Sequence, residues 1–223
     1  MNPSEINQSP WDTSVFGVHA FELTSPVEEA LHYASQNSGH YTVRVDPLQS
    51  KKLLYDYGFY YCDTLIEPFC ALPMFKSYQD SRMTISKKVS IEDLLHICNG
   101  AFSHGRFHRD FEISNQRADE RYNRWLEKMH AESSVFGLFF NEKLVGFVAI
   151  QDNSLVLHAI DPQYRGQGLA KFLWTPICQM LFDKGFSEIV SSISAANLAV
   201  LNLYSSLGFR FRNAVDIYHR LTP

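Results

Sequence analysis

Apolar and polar positions change period along the chain, and the change divides it into two parts. Over the first 75 residues, a period of two predicts three strands with short helices between them. The strands are predicted at 18–23, 41–46 and 60–72, and the helices at 26–35 and 47–57. Residues 1–17 show no periodic pattern and predict a loose terminus followed by an irregular loop.

The second part follows a stretch, residues 73–82, in which the apolar pattern lapses and a linker is predicted. From residue 83 the predicted order is strand, two helices, three strands, helix, strand, helix and two strands. The strands are predicted at 83–89, 135–140, 144–151, 155–160, 188–194, 209–212 and 215–220. The helices are predicted at 90–102, 117–131, 197–207 and directly after residue 168. The chain is therefore predicted to hold two units, 1–75 and 83–223.

Length and composition narrow the class of protein. The 223 residues suffice for a sizeable core, and an apolar fraction of 45% is typical of a globular protein. The net charge of −4 gives no basic surplus for nucleic acid or an anionic membrane. No apolar run reaches the length of a membrane span, and residues 1–8 lack the pattern of a signal peptide. The four cysteines have no CxxC spacing, so we expect reduced core thiols, a cytoplasmic location and no metal.

Residues 155–173 carry the candidate chemistry. An apolar run at 155–160 predicts a buried strand, which ends at Pro162 because proline has no N–H for the ladder. The segment Arg165-Gly166-Gln167-Gly168 follows, and apolar residues then recur at helical spacing. Glycines let the backbone approach a phosphate, and the first N–H groups of a helix have no internal partner. The strand, turn and helix therefore predict an anion site, although the spacing is neither the dinucleotide fingerprint nor the P-loop.

The pattern Arg165-x-x-Gly168-x-Ala170 after this strand resembles the acetyl-CoA signature of the GNAT N-acetyltransferase superfamily. The order of elements from residue 83 is similar to that of the family, so the resemblance covers about 140 residues. It implies an α/β GNAT fold, in which helices flank a mixed and strongly twisted sheet. It also implies an N-acetyltransferase that uses acetyl-CoA as co-substrate.

The first unit is interpreted as a partial GNAT-like copy without the chemistry of the second. Residues 53–59 align with residues 203–209 on a shared Gly-Phe, and each segment leads from a helix into a strand. Position 54 is Leu where position 204 is Tyr. Two unrelated strand–helix–strand units, both of which end a helix with glycine, are the alternative.

The resemblance assigns residues to the acetyl donor. Backbone N–H groups of the strand are implied to hold the acetyl carbonyl and the pantetheine arm, at Leu157, His158, Ala159 and Ile160. The turn is implied to hold the pyrophosphate, at Arg165, Gly166, Gln167, Gly168, Leu169, Ala170 and Lys171. Asn197 is implied to contact the pantetheine arm. Tyr204, seven residues further along the same predicted helix face, is implied to donate a proton to the thiolate. A packed aromatic beside the Gly-Phe turn is the alternative for Tyr204.

The general base is predicted from the residues themselves. Asp63 lies on the strand after Gly58-Phe59 and is the candidate, acting through water. A solvated strand carboxylate is the alternative. His158 is a second candidate base. The alternative is a hydrogen-bonded core histidine, which is the commoner case.

Three further segments resemble the TDP-fucosamine acetyltransferase branch of the family: Trp11-x-x-x-x-Phe-Gly17, Ala101-Phe-x-x-Gly-Arg-Phe107 and Tyr122-x-x-Trp125. The resemblance implies transfer to the 4-amino group of a nucleotide-linked deoxy amino sugar. The substrate residues that it implies are Arg106, Phe107 and Tyr122.

The same segment has a physical interpretation. Arg106, His108 and Arg109 can meet a diphosphate, and Phe107 and Phe111 can pack on a base or a sugar. A mobile polar loop between helices is the alternative. Another small amine, a protein N-terminus as acceptor, and a non-catalytic CoA-binding module stay open. The family resemblance also suggests a homodimer.

Overall fold

The computed structural model describes residues 4–223, and within that range it shows helices packed on a mixed sheet. The strands are β1 (Ile6–Gln8), β2 (Ala20–Leu23), β3 (Gly39–Val45), β4 (Tyr60–Ala71), β5 (Met83–Ser86), β6 (Val135–Phe140), β7 (Lys143–Gln151), β8 (Ser154–Ile160), β9 (Glu188–Ser191), β10 (Ile193–Ser194) and β11 (Arg210–Thr222). The helices are α1 (Pro10–Phe16), α2 (Glu28–Gln36), α3 (Lys52–Asp56), α4 (Ile91–Cys98), α5 (Asn115–Ala131), α6 (Ala170–Asp183) and α7 (Leu198–Ser206).

All of these strands belong to one sheet with the order β1-β2-β3-β11-β4-β9-β8-β7-β6-β5, and β10 pairs with β4. The pairs β2–β3 and β8–β9 are parallel, and the other pairs are antiparallel. The predicted α/β fold with a mixed sheet flanked by helices is therefore confirmed.

The last strand of the chain joins the two predicted units. β11 lies between β3 and β4, so strands from both sides of residues 73–82 alternate in one sheet. Two of the hydrophobic clusters lie mainly on one side each, whereas a third packs Phe16 against Phe107 and so joins both sides. Leu31, Tyr41 and Phe59 belong to the first core, and Leu155, Trp174 and Tyr204 to the second. The division into two domains stays a prediction, because the sheet continues through both.

Two predictions about the ends of the chain were wrong. β1 pairs with β2, and α1 occupies the predicted loop, with Pro10 in its first turn and Gly17 (φ 69°) after its last residue. The two predicted closing strands form one strand, β11. Its pairing with β4 shifts between Arg212 and Val215, which is a bulge rather than a break. The predictions of a loose terminus and of no signal peptide also rest on residues 1–3, which lie outside the described residues.

The two Gly-Phe segments share backbone geometry. Gly58 and Gly208 both have positive φ, 72° and 89°. The Phe59 N–H donates to the Leu54 carbonyl at 2.9 Å, and the Phe209 N–H donates to the Tyr204 carbonyl at 3.0 Å. Both helices therefore end in the same way, with a bond over five residues and a left-handed glycine. A parallel strand pair precedes each segment. The partial repeat itself stays a prediction.

The four cysteines, at 62, 70, 98 and 178, are free and buried. Burial raises the pKa of each thiol, which keeps it protonated as an apolar core group. Among residues 4–223, no helix combines the length and the apolar composition that crossing a membrane requires.

Candidate active site

The sheet opens between β8 and β9. These parallel strands pair only where Ser154 meets Val190 and Leu155 meets Ser191. Beyond that point β8 carries one extra residue, Val156, because its register with β7 skips a position there. A bulge bends its strand and increases the twist. β8 therefore leaves its neighbour after Leu155, and a gap opens beside the second half of the strand.

The backbone of β8 offers hydrogen-bond groups to this gap. The Asp161 N–H donates to the Val145 carbonyl at 2.9 Å, and hydrogen bonding alternates along an antiparallel pair. Leu157 and Ala159 therefore use their backbone groups on β7, whereas His158 and Ile160 turn theirs toward the gap, where the Ile160 carbonyl already accepts from Arg165 Nε. Of the four strand residues predicted to hold the acetyl donor through their backbones, the structure leaves these two in position.

The turn between β8 and α6 presents a row of unused N–H groups. None of the backbone N–H groups from 166 to 171 donates to an acceptor within residues 4–223. Gly166 and Gly168 have φ of 74° and 73°, and a Cβ on either would meet no protein atom within 4 Å. The glycines thus leave open space above a concave backbone, next to the N-terminus of a 14-residue helix. That arrangement fits an anion such as a pyrophosphate.

The side chains of the turn stabilise its conformation. The Arg165 Nε donates to the Ile160 carbonyl at 2.8 Å, and the Gln167 amide donates to the Gln163 carbonyl at 2.7 Å. Leu169 caps α6, and Ala170 is its first residue. The Lys171 ammonium lies 4.5 Å from the ring centre of Tyr78. Each side chain stays on the surface or on its own loop, so it leaves the backbone donors free.

A tyrosine and a histidine meet beside the gap. The Tyr204 Oη lies 2.9 Å from His158 Nε2, and the His158 ring lies edge-on to Trp174 at 5.3 Å between centres. Burial lowers the pKa of His158 to about 4, so this imidazole is neutral at pH 7. Burial also raises the pKa of Tyr204, which keeps its proton. The pair can therefore hold and release one proton at the hydroxyl.

Asn197 stands before α7 rather than on its face. Its side-chain oxygen accepts from the Val200 N–H at 3.3 Å, which makes it the N-cap of the helix. The predicted alignment of Asn197 and Tyr204 along one helix face is therefore wrong. Its backbone N–H donates to the Ser194 carbonyl at 3.0 Å. Contact with a pantetheine arm stays a prediction.

Asp63 is a buried carboxylate with one oxygen occupied and one free. Its Oδ1 accepts from Arg109 Nη1 at 2.8 Å, from Ser194 Oγ at 2.8 Å and from the Thr64 N–H at 2.9 Å. Its Oδ2 is buried and has no partner in the described part of the chain. Burial raises the pKa of Asp63, and the bonds from Ser194 and Arg109 partly offset that rise. A solvated carboxylate, the alternative that the sequence left open, does not fit this burial.

The loop between α4 and α5, residues 99–114, covers this carboxylate and is here named the acceptor loop. Asp110 fixes it to the sheet, because its carboxylate accepts from His40, His219 and Tyr60 at 2.7–2.9 Å. Phe107 is buried in the core below and packs against His219, so its side chain does not reach an open surface. It supports Arg106, whose guanidinium lies over its ring at 4.6 Å. The predicted substrate contact through Phe107 is therefore a supporting contact.

The other residues predicted to contact the acceptor differ in their partners. Tyr122 is half-buried and stacks on Phe102 at 4.4 Å. His108 lies 2.9 Å from an Asp119 oxygen, and Arg109 is bonded to Asp63. Arg106 has a buried Nη1 with no partner.

Sequence reasoning missed Ser194 and Trp174, and it assigned Arg109 to a diphosphate rather than to Asp63. Ser194 and Arg109 orient Asp63, and Trp174 packs beside His158. Trp174 lies in an apolar helix pattern that looks like core, and Ser194 lies on a strand. Only the charge of Arg109 gave a signal, and its partner lies 46 positions away in the chain.

The fold and the site together define an α/β protein in which a candidate anion site lies beside a buried tyrosine–histidine pair. Residues 93–209, just over half of the chain, match the acetyltransferase (GNAT) family model. The chain therefore belongs to the acetyltransferase (GNAT) family, as its turn sequence indicated.

Curated relatives match about a third of the chain. N-acetyltransferase 8B of Homo sapiens is 38% identical over 79 residues, which is 31% of this chain and 35% of that protein. N-acetylaspartate synthetase of Xenopus tropicalis is 34% identical over 87 residues, 36% of this chain and 31% of that protein. The chain thus spans about a third of the length of these two relatives. The [Ribosomal protein bS18]-alanine N-acetyltransferase of Escherichia coli K12 is 32% identical over 94 residues, 38% of this chain and 64% of that protein.

Solved structures share the fold over most of the chain. A functionally unknown conserved protein from Staphylococcus epidermidis has a TM-score of 0.59 at 13% identity, covering 93% of this chain and 86% of that one. A tandem GNAT protein from the clavulanic acid biosynthesis pathway has a TM-score of 0.55 at 10% identity, covering 92% and 76%. At these identities the likeness concerns the fold alone.

Proposed function

We propose that this chain is an acetyl-CoA-dependent N-acetyltransferase that acts on a primary amine. One observation carries the proposal: a strand–turn–helix with unused N–H groups lies beside a gap in the sheet, and a Tyr204–His158 pair lies at that gap. The family membership supports the same activity, since the curated relatives are named as N-acetyltransferases or as a synthetase of an N-acetylated product.

The donor half of the site is supplied mainly by backbone. The N–H groups of Gly166 to Lys171 would hold the pyrophosphate, and the backbone groups of His158 and Ile160 would line the arm and polarise the acyl carbonyl. When bound, acetyl-CoA supplies an acetyl group that is activated as a thioester. The groups predicted as donor contacts thus act through backbone, which explains why few of their side chains point at the gap.

The transfer forms one N–C bond and breaks one C–S bond. The amine has to lose a proton, and Asp63 Oδ2 is the base proposed to take it through water. The leaving thiolate has to gain a proton, and the Tyr204 hydroxyl is proposed to donate it. Neutral His158 keeps that hydroxyl in place at 2.9 Å.

The acceptor proposed from the sequence is a nucleotide-linked deoxy amino sugar with a 4-amino group. An aromatic surface near Asp63 supports it: Phe111 is 73% exposed, and its ring lies 4.2 Å from that of Tyr60. Such a surface suits a base or a sugar face. A cytoplasmic location and a homodimer stay predictions of the sequence.

The activity is tested by thiol release from acetyl-CoA with a panel of acceptors and with a Tyr204→Phe variant. The panel holds TDP- and UDP-linked amino sugars, small amines and an N-terminal peptide. We expect Tyr204→Phe to lower kcat by about 100-fold or more, because general acid catalysis contributes that much, while the affinity for CoA measured by calorimetry is unchanged.

Tyr218→Phe is the matched control for that variant. It removes a second buried phenol, which bonds to the Tyr55 hydroxyl at 3.2 Å in the first core, away from the gap. Equal turnover in wild type and Tyr204→Phe would remove Tyr204 from the mechanism. Binding of CoA without turnover on any amine would favour a non-catalytic CoA-binding module.

A further inference from the structure

Arg106 carries a charge that the chain leaves without a counter-ion. Its Nη1 is buried and has no hydrogen-bond partner, and within residues 4–223 no carboxylate forms an ion pair with its guanidinium. Neighbouring arginines differ in this respect. Arg109 pairs with Asp63 at 2.8 Å, and Arg121 pairs with Asp12 at 2.7 Å. Of these three arginines, Arg106 is thus the one for which residues 4–223 supply no carboxylate partner.

Such a group is costly for the folded protein. Burial, together with the charges of Arg121 and Arg44, lowers the pKa of Arg106 to about 10, so it stays charged at pH 7. A buried charge without a partner destabilises a fold more than an apolar residue of the same size would. Local rules are broken in this way mainly at functional sites.

A second unpartnered group lies close by and has the opposite charge. Asp63 Oδ2 is buried and free, and the other oxygen of this carboxylate bonds to Arg109, which lies three residues after Arg106 on the same loop. The positive charge of Arg106 also lowers the Asp63 pKa. They do not bond to each other. The site therefore has a free acidic oxygen and a free basic nitrogen, each held in place by its surroundings.

We propose that the acceptor carries an oxyanion, a carboxylate or a phosphate, close to its amine, and that Arg106 binds this oxyanion while Asp63 Oδ2 faces the amine. The proposal rests on the proposed N-acetyltransferase function and names its substrate class. Of the three side chains predicted to meet a diphosphate, Arg109 pairs with Asp63 and His108 bonds Asp119 through its Nε2, while the His108 Nδ1 is free. Arg106 is thus the guanidinium of this segment that has no carboxylate partner within residues 4–223. One free guanidinium suits one oxyanion.

Selectivity follows from the same geometry. A neutral acceptor would leave Arg106 buried and unpaired in the complex, whereas an anionic one forms a charge-assisted bond there. We expect removal of the anion from the acceptor to lower kcat/KM by about 10- to 100-fold in the wild type.

Paired acceptors that differ only in the anion test this. The carboxylate arm compares L-aspartate with its diamide, and the phosphate arm compares glucosamine 6-phosphate with glucosamine. The wild type is expected to prefer the anionic member of at least one pair, and Arg106→Gln to lose that preference. Arg124→Gln is the control, because it removes a positive charge from a surface pair on α5 and should keep the preference. Equal kcat/KM within both pairs in the wild type would overturn the proposal, as would equal loss on both members in Arg106→Gln.

A binding measurement decides the question without turnover. Succinate or inorganic phosphate, compared with chloride at constant ionic strength, should raise the Tm of wild type and Arg124→Gln but not of Arg106→Gln. Arg106→Gln should also be at least as stable as the wild type without added anion. A less stable variant with an unchanged anion response would show that Arg106 is only structural. Failure of the proposed function is seen separately, as absence of CoA binding by calorimetry.

Discussion

At the scale of single residues, the acceptor loop depends on one carboxylate. The Asp110 oxygens accept from the His40 Nε2, the His219 Nδ1, the Tyr60 hydroxyl and the Glu112 N–H. Burial alone would raise the Asp110 pKa, but the bonds from His219 and His40 hold it well below its usual range. His40, Asp110 and His219 each offer one atom that could bind a metal ion, and these atoms lie within 4.8 Å of one another. Hydrogen bonds, however, already satisfy the carboxylate. We therefore interpret it as the anchor of the loop.

Asp110→Ala tests this anchor. The change leaves several buried donors without an acceptor, so we expect the free energy of unfolding to fall by about 3 kcal/mol or more. Tyr60→Phe removes one of the four bonds and should cost about 1 kcal/mol. Urea unfolding measures both, and equal losses for the two variants would contradict the role given to Asp110.

At the scale of elements, the β8–α6 turn is the part whose sequence and geometry agree most closely. Its glycines have left-handed backbone, which favours glycine, and the open space above them leaves room for a ligand to approach the backbone. The turn follows a strand that the bulge at Val156 bends out of the sheet, and neither feature would form the site alone.

Gly168→Val tests whether Gly168 is needed for ligand binding or only for the conformation of the backbone. Valine is strained at φ 73°, and its side chain would fill the space above the turn, so affinity for CoA should fall by at least 10-fold. Gly185→Val is the matched control, since Gly185 has φ 93° with open space around its Cβ at the far end of α6. Calorimetry with CoA compares the two, and the expectation fails if both variants bind equally well.

At the scale of the whole molecule, buried neutral histidines connect stability to pH. Burial lowers the pKa of His219 to about 3 and that of His158 to about 4, against an ordinary value of 6.5. In the unfolded chain both take a proton below pH 6.5, whereas in the folded chain both stay neutral until pH 3–4. Between these pH values the unfolded state binds more protons than the folded state. The stability contributed by the two neutral histidines is therefore fully present above pH 6.5 and is lost as the pH falls.

The free energy of unfolding should therefore decrease between pH 6.5 and 4, by up to about 1.4 kcal/mol per pH unit for each of these histidines. His158→Gln should make the decrease shallower. Replacing the exposed His104 by Gln should leave it unchanged. Denaturant unfolding at a series of pH values measures the slope, and a flat profile in the wild type would be inconsistent with buried neutral imidazoles.

The sequence by itself determined the elements and the donor turn. Hydrophobic period, proline and glycine act over a few neighbouring residues, so the strands from β2 to β9 and the turn at Arg165–Ala170 were found where local pattern sets them. The prediction from local pattern was wrong where local signals conflict, at α1 and at the bulge in β11.

Only the tertiary structure decided which groups meet. Asp63 and Arg109 are 46 positions apart, Tyr204 and His158 also 46, and His40 and Asp110 70. No local pattern connects such residues, because their contact depends on strand order and on the gap that β8 leaves beside β9. The sheet also decided that Phe107 is buried and that the buried Arg106 Nη1 has no hydrogen-bond partner within residues 4–223. Sequence fixes what each residue can do chemically, and the fold fixes which partner is within reach.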